Sequence, residues 1–249
     1  VLVDFGTDSL FRSISVTNPD QNGNTWNSIG SFQADLLNTG NNATPIDIGF
    51  TSSFGPDSYN GPAGETSDPL QPSEIAATSI DTVSLGSLGV THAAIDFFAG
   101  VDQTFTISDL DPTKIYSLTF FGSHKFSANA ATIYSVYSDS AYTGLVASTT
   151  LDVQVPASPW IHNSNKVATI YNLTPQAGNS LYVMFTGDAG GDGYINALRI
   201  EVYDNAATDM TGIQLAAGSI DVSFIGSNMV SYTLQYTTDP LNGAGWADV

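Results

Sequence analysis

The chain has 249 residues, 42% of them hydrophobic, and sets 24 acidic side chains against five basic ones (Arg12, Lys114, Lys125, Lys166 and Arg199), a formal charge of −19. Such a surface repels phosphate backbones and anionic lipid, which argues against nucleic-acid binding and against a polybasic membrane anchor. The absence of cysteine rules out a disulfide framework, a thiolate zinc site and a thiol nucleophile, and no run approaches the ~20 apolar residues needed to span a bilayer.

The length suffices for one large β domain, or for one domain and a small second one. The low charged fraction of 12%, with abundant Ser, Thr, Asn and Gly, is associated with secreted or cell-surface β proteins. The chain opens in a strand pattern, Val1–Gly6, so any secretion leader is expected to have been removed.

In chain order, β-branched and aromatic runs predict strands at Ile14–Val16, Ile46–Phe50, Ala93–Phe98, Gln103–Ile107, Tyr116–Gly122, Thr132–Tyr137, Thr150–Val155, Lys166–Tyr171, Ser180–Thr186 and Ile195–Tyr203. The runs Ser117–Gly122 and Leu181–Phe185 are nearly continuous in apolar residues, as in strands covered on both faces. Pro112 and Pro175 preset turns ahead of two of these strands. The only helix-like stretch is Ser31–Leu37, with Ser31 as its cap. Residues 51–79, rich in Gly and Pro, form a long irregular segment that reads as a lid, a binding loop or an ordinary surface excursion.

The strand pattern breaks near 204–208, then resumes at Ile213–Leu215, Ile220–Ile225 and Val230–Thr237. The expected architecture is therefore all-β: an antiparallel β-sandwich over 1–205 and a small β extension or partial second domain over 206–249. The tail is too short for a confident core of its own, so it is expected to pack on the main domain or to exchange strands with a neighbour.

Four segments carry a resemblance: Val3-Asp4-Phe5-Gly6, Gly23-Asn24-Thr25-Trp26-Asn27, Leu118-Thr119-Phe120-Phe121-Gly122-Ser123 and Gly193-Tyr194-Ile195-Asn196-Ala197-Leu198-Arg199-Ile200-Glu201. Over about 1–205 the chain resembles the galactose-binding-like or malectin-like jelly-roll modules of secreted bacterial proteins. The resemblance implies a jelly roll in which Val1–Phe5 pairs with Ile195–Tyr203, together with glycan binding, frequently beside a structural calcium. It also places carboxylates on terminal strands, which makes Asp4 and Glu201 candidate cation ligands. The tail Tyr232–Trp246 looks like the start of a small fibronectin-like domain whose final strands do not follow, as in a fragment of a longer protein or a strand-donating tail.

Catalytic signatures are missing from the sequence: His92, His124 and His162 are scattered, with no HExxH and no GxSxG elbow. The expectation is a protein without catalysis. In the loop Asp188-Ala189-Gly190-Gly191-Asp192-Gly193, two carboxylates four residues apart lie on a backbone free to curl around a hard cation such as calcium. A flexible acidic turn is the plainer reading. It is not an EF-hand, because Gly190 and Arg199 occupy positions where that loop needs ligands.

Trp26, Tyr59 and Trp160 are candidates for stacking on a sugar ring, or for packing in the core. His124 and Lys125, just past a core strand, are candidates for hydrogen bonds to sugar hydroxyls or to a carboxylate, or for a solvated loop. Two functions follow. One is a non-catalytic extracellular binding module for a polysaccharide or other glycan. The other is a structural subunit that assembles with copies of itself into a fibre, sheath or surface layer, suggested by the shortage of Lys as an edge guard and by the interrupted tail.

Overall fold

The structure is a computed structural model, and it describes residues 1–52, 55–58, 67–125, 131–155 and 161–204, with the backbone of 209–216, 219–225, 235–236 and 247–248. The strands in the first part are β1 (Leu2–Asp4), β2 (Asn27–Ser28), β3 (Asp47–Phe50) and β4 (Gly55–Ser58). A helical segment follows, made of α1 (Pro72–Ala77), α2 (Thr82–Leu85), a 3₁₀ turn (Gly86–Leu88) and α3 (Thr91–Ile95). Then come β5 (Asp96–Gly100), β6 (Gln103–Ser108), β7 (Lys114–Phe121), β8 (Ala131–Tyr137), β9 (Leu145–Asp152), β10 (Gln154–Val155), β11 (Ile161–His162), β12 (Ala168–Leu173), β13 (Leu181–Gly187), β14 (Gly193–Ile195) and β15 (Ala197–Asp204). After 204 the chain continues as β16 (Asp209–Ala216), β17 (Ser219–Ile225), β18 (Gln235–Tyr236) and β19 (Ala247–Asp248).

Two five-stranded sheets, β12-β7-β15-β1-β2 and β3-β6-β13-β8-β9, make an all-β sandwich. β1–β15, β7–β12, β6–β13, β8–β13, β3–β6 and β8–β9 pair antiparallel, and β1 and β2 run parallel. β1 pairs antiparallel with β15, Leu2 opposite Arg199 and Asp4 opposite Ala197, as expected. Val3, Leu118, Phe120 and Leu198 of one sheet share a core with Ile48, Phe105, Tyr134, Val183 and Phe185 of the other. At its centre the Phe120 and Tyr134 rings stack 4.4 Å apart with planes within 5°, a close contact that adds to simple area burial.

The helical segment explains why β7 is buried on both faces from Tyr116 onward. Leu118 and Phe120 face the sandwich interior, whereas Phe121, with Leu2 and Ala197, packs against Leu85, Leu88, Val90, Ala93 and Ala94. Residues 116–121 are consequently all buried, as expected for a strand covered on both faces. β13 differs: its burial alternates, and Tyr182, Met184 and Thr186 are only half-buried on the outer face.

Three local expectations are corrected. Ser31–Leu37 is not a helix; Gln33 and Leu37 instead make isolated bridges to Ile48 and Ala43. Ala93–Phe98 divides into the end of α3 and the start of β5, because the break falls at Asp96. Ile14–Val16 is not a strand, since the amides of Ile14, Ser15 and Val16 donate to the carboxylates of Asp96, Asp8 and Asp4 instead of to a neighbouring strand. The irregular segment also contains structure, β4 and α1, while residues 53–54 and 59–66 lie outside the described residues.

The chain divides into two compact units, 1–202 and 203–249. The second holds the antiparallel hairpin β16–β17, with Asp209 opposite Ile225, and the pair β18–β19. Of the expected strand Val230–Thr237, only 235–236 fall within the described residues.

Candidate functional site

An open cleft of about 580 Å³ lies between the loop Val16–Gln21 and the helical segment. Its apolar wall comes from Pro19, Ile75 and Val90, and its polar groups include Asp20, Gln21 and His92. Both walls are fixed from within. On the helix side, Glu74 accepts from the amides of Gln71 and Ser67, each at 2.7 Å, which fastens the first turn of α1. Asp81 accepts from the amides of Val83 and Ser84, both at 3.1 Å, and so caps α2.

On the loop side the anchor is Trp26. Its backbone amide donates to Asn18 Oδ1 at 2.8 Å, its carbonyl accepts from Asn18 Nδ2 at 2.9 Å, and its indole Nε1 donates to Asp20 Oδ2 at 2.8 Å. The other oxygen of Asp20 accepts from the amides of Asn22 and Asn24, both at 2.8 Å. Burial pulls the Asp20 carboxyl upward, but the hydrogen bonds from Trp26, Asn24 and Asn22 outweigh it and hold the group below the usual carboxylate range. Asp20 thus sits in the cleft as a carboxylate with a fixed orientation. His92 is placed by a 3.2 Å contact between Nδ1 and the Ser15 carbonyl.

Among the described residues singled out in the sequence, Trp26 and His124 pack in different clusters. Trp26 is 2% exposed and packs with the helices, so its ring presents no face to a sugar; its part is to hold the cleft wall. His124 lies flat on Tyr194 and edge-on to Phe97. Burial lowers its pKa to about 4, so at neutral pH it is an uncharged packing group and not a cation. Lys125, next in sequence, is half-buried. Tyr59 and Trp160 lie outside the described residues.

The expected cation ligands also separate. Asp188 and Asp192 are exposed in a tight turn closed by hydrogen bonds from Gly187 N to Gly191 O at 2.9 Å and from Asp188 N to Ala131 O at 3.1 Å. Gly190 adopts φ +74° there, a conformation that suits glycine. Among the described residues, no group of three or more metal-ligating side chains forms there or elsewhere. Asp4 and Glu201 stand four residues apart along the β1–β15 ladder, because Asp4 is opposite Ala197, and Glu201 instead pairs with Arg199 at 3.2 Å.

Asp4 has a different neighbour, Asp96, which the sequence reading did not single out. Both are fully buried. Asp4 Oδ2 accepts from Ser28 Oγ at 2.7 Å and from Val16 N at 3.1 Å; Asp96 Oδ2 accepts from Ser13 Oγ at 2.6 Å and from Ile14 N at 3.0 Å. In each carboxylate Oδ1 is buried with no hydrogen-bond partner. Burial, then the facing Asp96 charge, pushes the Asp4 carboxyl well up, and burial pushes Asp96 up to about 7. The available signal was a lone acid inside the apolar run Ala93–Phe98, since a buried acid needs a reason to be there.

Comparison with family models, with curated proteins and with solved structures finds no match to this chain.

Proposed function

We propose that the chain is a non-catalytic binding module for a neutral glycan, and that the cleft between Val16–Gln21 and the helical segment receives it. The cleft itself carries this reading. It pairs an apolar wall of Pro19, Ile75 and Val90 with the carboxylate, amide, hydroxyl and imidazole groups of Asp20, Gln21, Thr91 and His92, and its described lining contains neither Lys nor Arg. Sugars present apolar C–H surface and many hydroxyls without charge, and a strongly acidic protein favours an uncharged ligand. Asp20 accepts four internal hydrogen bonds, from the Asn22 and Asn24 amides, the Asn24 side chain and the Trp26 indole, which suits a fixed carboxylate better than a proton-transfer group. An extracellular location accords with the composition.

Calorimetry and affinity electrophoresis against a panel of neutral polysaccharides test the reading. Saturable binding that weakens at least tenfold in Ile75→Glu is expected, with the fold checked by circular dichroism. No retention on any member of a broad panel, or retention unchanged in that variant, would overturn it.

A second reading, assembly with copies of itself, draws on the outer edge of β9. This eight-residue strand, Leu145–Asp152, ends its sheet, contains no Lys, Arg or Pro, and leaves Leu145 59% and Val146 43% exposed. An edge strand without Lys or Pro of its own is open to strand addition at its apolar end, Leu145 and Val146, while Lys166 pairs with Asp152 at the other. Light scattering decides it: a monodisperse monomer at all concentrations removes this reading.

A further inference from the structure

We propose that Asp4 and Asp96 together hold a hard divalent cation, bound through their Oδ1 atoms between β1 and β5 and beneath the strap Ser13–Val16. The site adjoins the glycan cleft, sharing Val16 with its wall, but it does not rest on the glycan reading. Its geometry starts from the strap. Ile14 N reaches one carboxylate and Val16 N the other, two residues apart on one chain segment, so the two acids are neighbours gripped from the same side.

Each grip uses Oδ2 alone and leaves Oδ1 buried and without a partner, although donors are available to the other oxygen of the same group. Neither acid forms an ion pair; among the described residues, Arg199 engages Glu201, and the Val1 amino group donates to the Ile200 carbonyl. Keeping both groups ionised in the interior without a compensating cation would cost several kcal/mol each, so the cation-free site takes up protons, while oxygen-only donors in fixed positions match the preference of calcium or magnesium. The remaining coordination would come from backbone carbonyls and water.

Packing makes room for the acids. A Cβ at Gly6 would collide with the Asp96 carboxylate and with Ser13 Oγ, so the chain passes the site with a bare backbone. Asn196 donates through Nδ2 to the Asp96 carbonyl at 2.6 Å and to the Ala94 carbonyl at 3.1 Å, fixing the start of β5.

The test uses the whole chain at pH 7.5. Metal content after exhaustive dialysis is measured by mass spectrometry, and thermal unfolding is followed with chelator, with calcium and with magnesium. Retained stoichiometric cation, or a rise in Tm on the order of 5 °C or more on adding millimolar calcium or magnesium, is expected. Asp96→Asn should abolish the rise, and Asp188→Asn with Asp192→Asn should keep it. Should Asp96→Asn fail to fold, the wild-type measurement and the loop variant still decide. No bound cation together with equal Tm in chelator, calcium and magnesium overturns the site, as does a rise lost in the loop variant. A protein stabilised by acid and indifferent to all cations, as for two carboxyls sharing a proton, overturns it as well.

Discussion

The imidazole of His124 lies parallel to the phenol of Tyr194, ring centroids 4.3 Å apart and planes within 9°, while Phe97 meets the imidazole edge-on at 4.8 Å. Burial there lowers the His124 pKa to about 4, against an ordinary value of 6.5. The folded chain therefore binds fewer protons than the unfolded chain between those two values. Above pH 6.5 the residue adds no pH dependence, and stability falls as the pH drops from 6.5 toward 4, by about 3 kcal/mol in all. Urea titrations of wild type and His124→Phe across that range check it: the variant should lose most of this acid slope. Equal slopes would show that the imidazole is not held neutral.

Asp20 is a second pivot, because it accepts four hydrogen bonds, from the Asn22 and Asn24 amides, the Asn24 side chain and the Trp26 indole. Asp20→Ala leaves a buried indole N–H without its acceptor, an omission that costs about 1–3 kcal/mol before the loop bonds are counted. Chemical denaturation should show a loss in that range, and the tryptophan emission should change as the loop loosens.

Asn196 links four backbone groups: its side chain bonds Ala94 O, Asp96 O and Ser123 N, and its amide donates to Phe121 O at 2.9 Å. Asn196→Ala removes the side-chain set and leaves buried partners unsatisfied. A loss of roughly 3 kcal/mol or more is expected. Asn196→Asp should do worse, because it removes the donor and adds a charge next to the buried acids. Thermal unfolding ranks the two.

Gly122 has no space for a methyl group. A Cβ there would strike Tyr134 Oη and the Tyr194 carbonyl, which are themselves joined by a 2.5 Å hydrogen bond. Gly122→Ala should separate that pair and destabilise by roughly 1–3 kcal/mol. A stability equal to wild type would mean that the two sheets yield more easily than their packing indicates.

Val146→Lys places a charge on the free edge of β9. If copies associate there, the variant should shift a concentration-dependent scattering signal to that of a monomer without changing Tm by more than a degree or two, since surface changes are usually small.

Much of the framework was legible because strands such as Gln103–Ser108 and Ala131–Tyr137 alternate β-branched and aromatic residues between clear turns. The helices were not. α2 and α3 are four and five residues long, with Gly86 and Gly89 between them, too short to show a helical period. Trp26 illustrates the limit for the site. A ring in an Asn- and Gly-rich loop reads equally as a stacking platform or as an anchor, and only the position of Asp20 decides. Asp96 was hidden for the opposite reason: its apolar neighbours made it look like part of a strand, and its partner stands 92 residues earlier in the chain.

The strand at the very start of the chain is not at the rim of its sheet. β1 lies between β15 and β2, and β15 closes near residue 204. The middle of that sheet is closed by residues far apart in the chain, Asp4 lying opposite Ala197, so β1 stays unpaired on that side until β15 arrives. Deleting β1 would take out an interior slat, and the loss would be felt across the whole sheet.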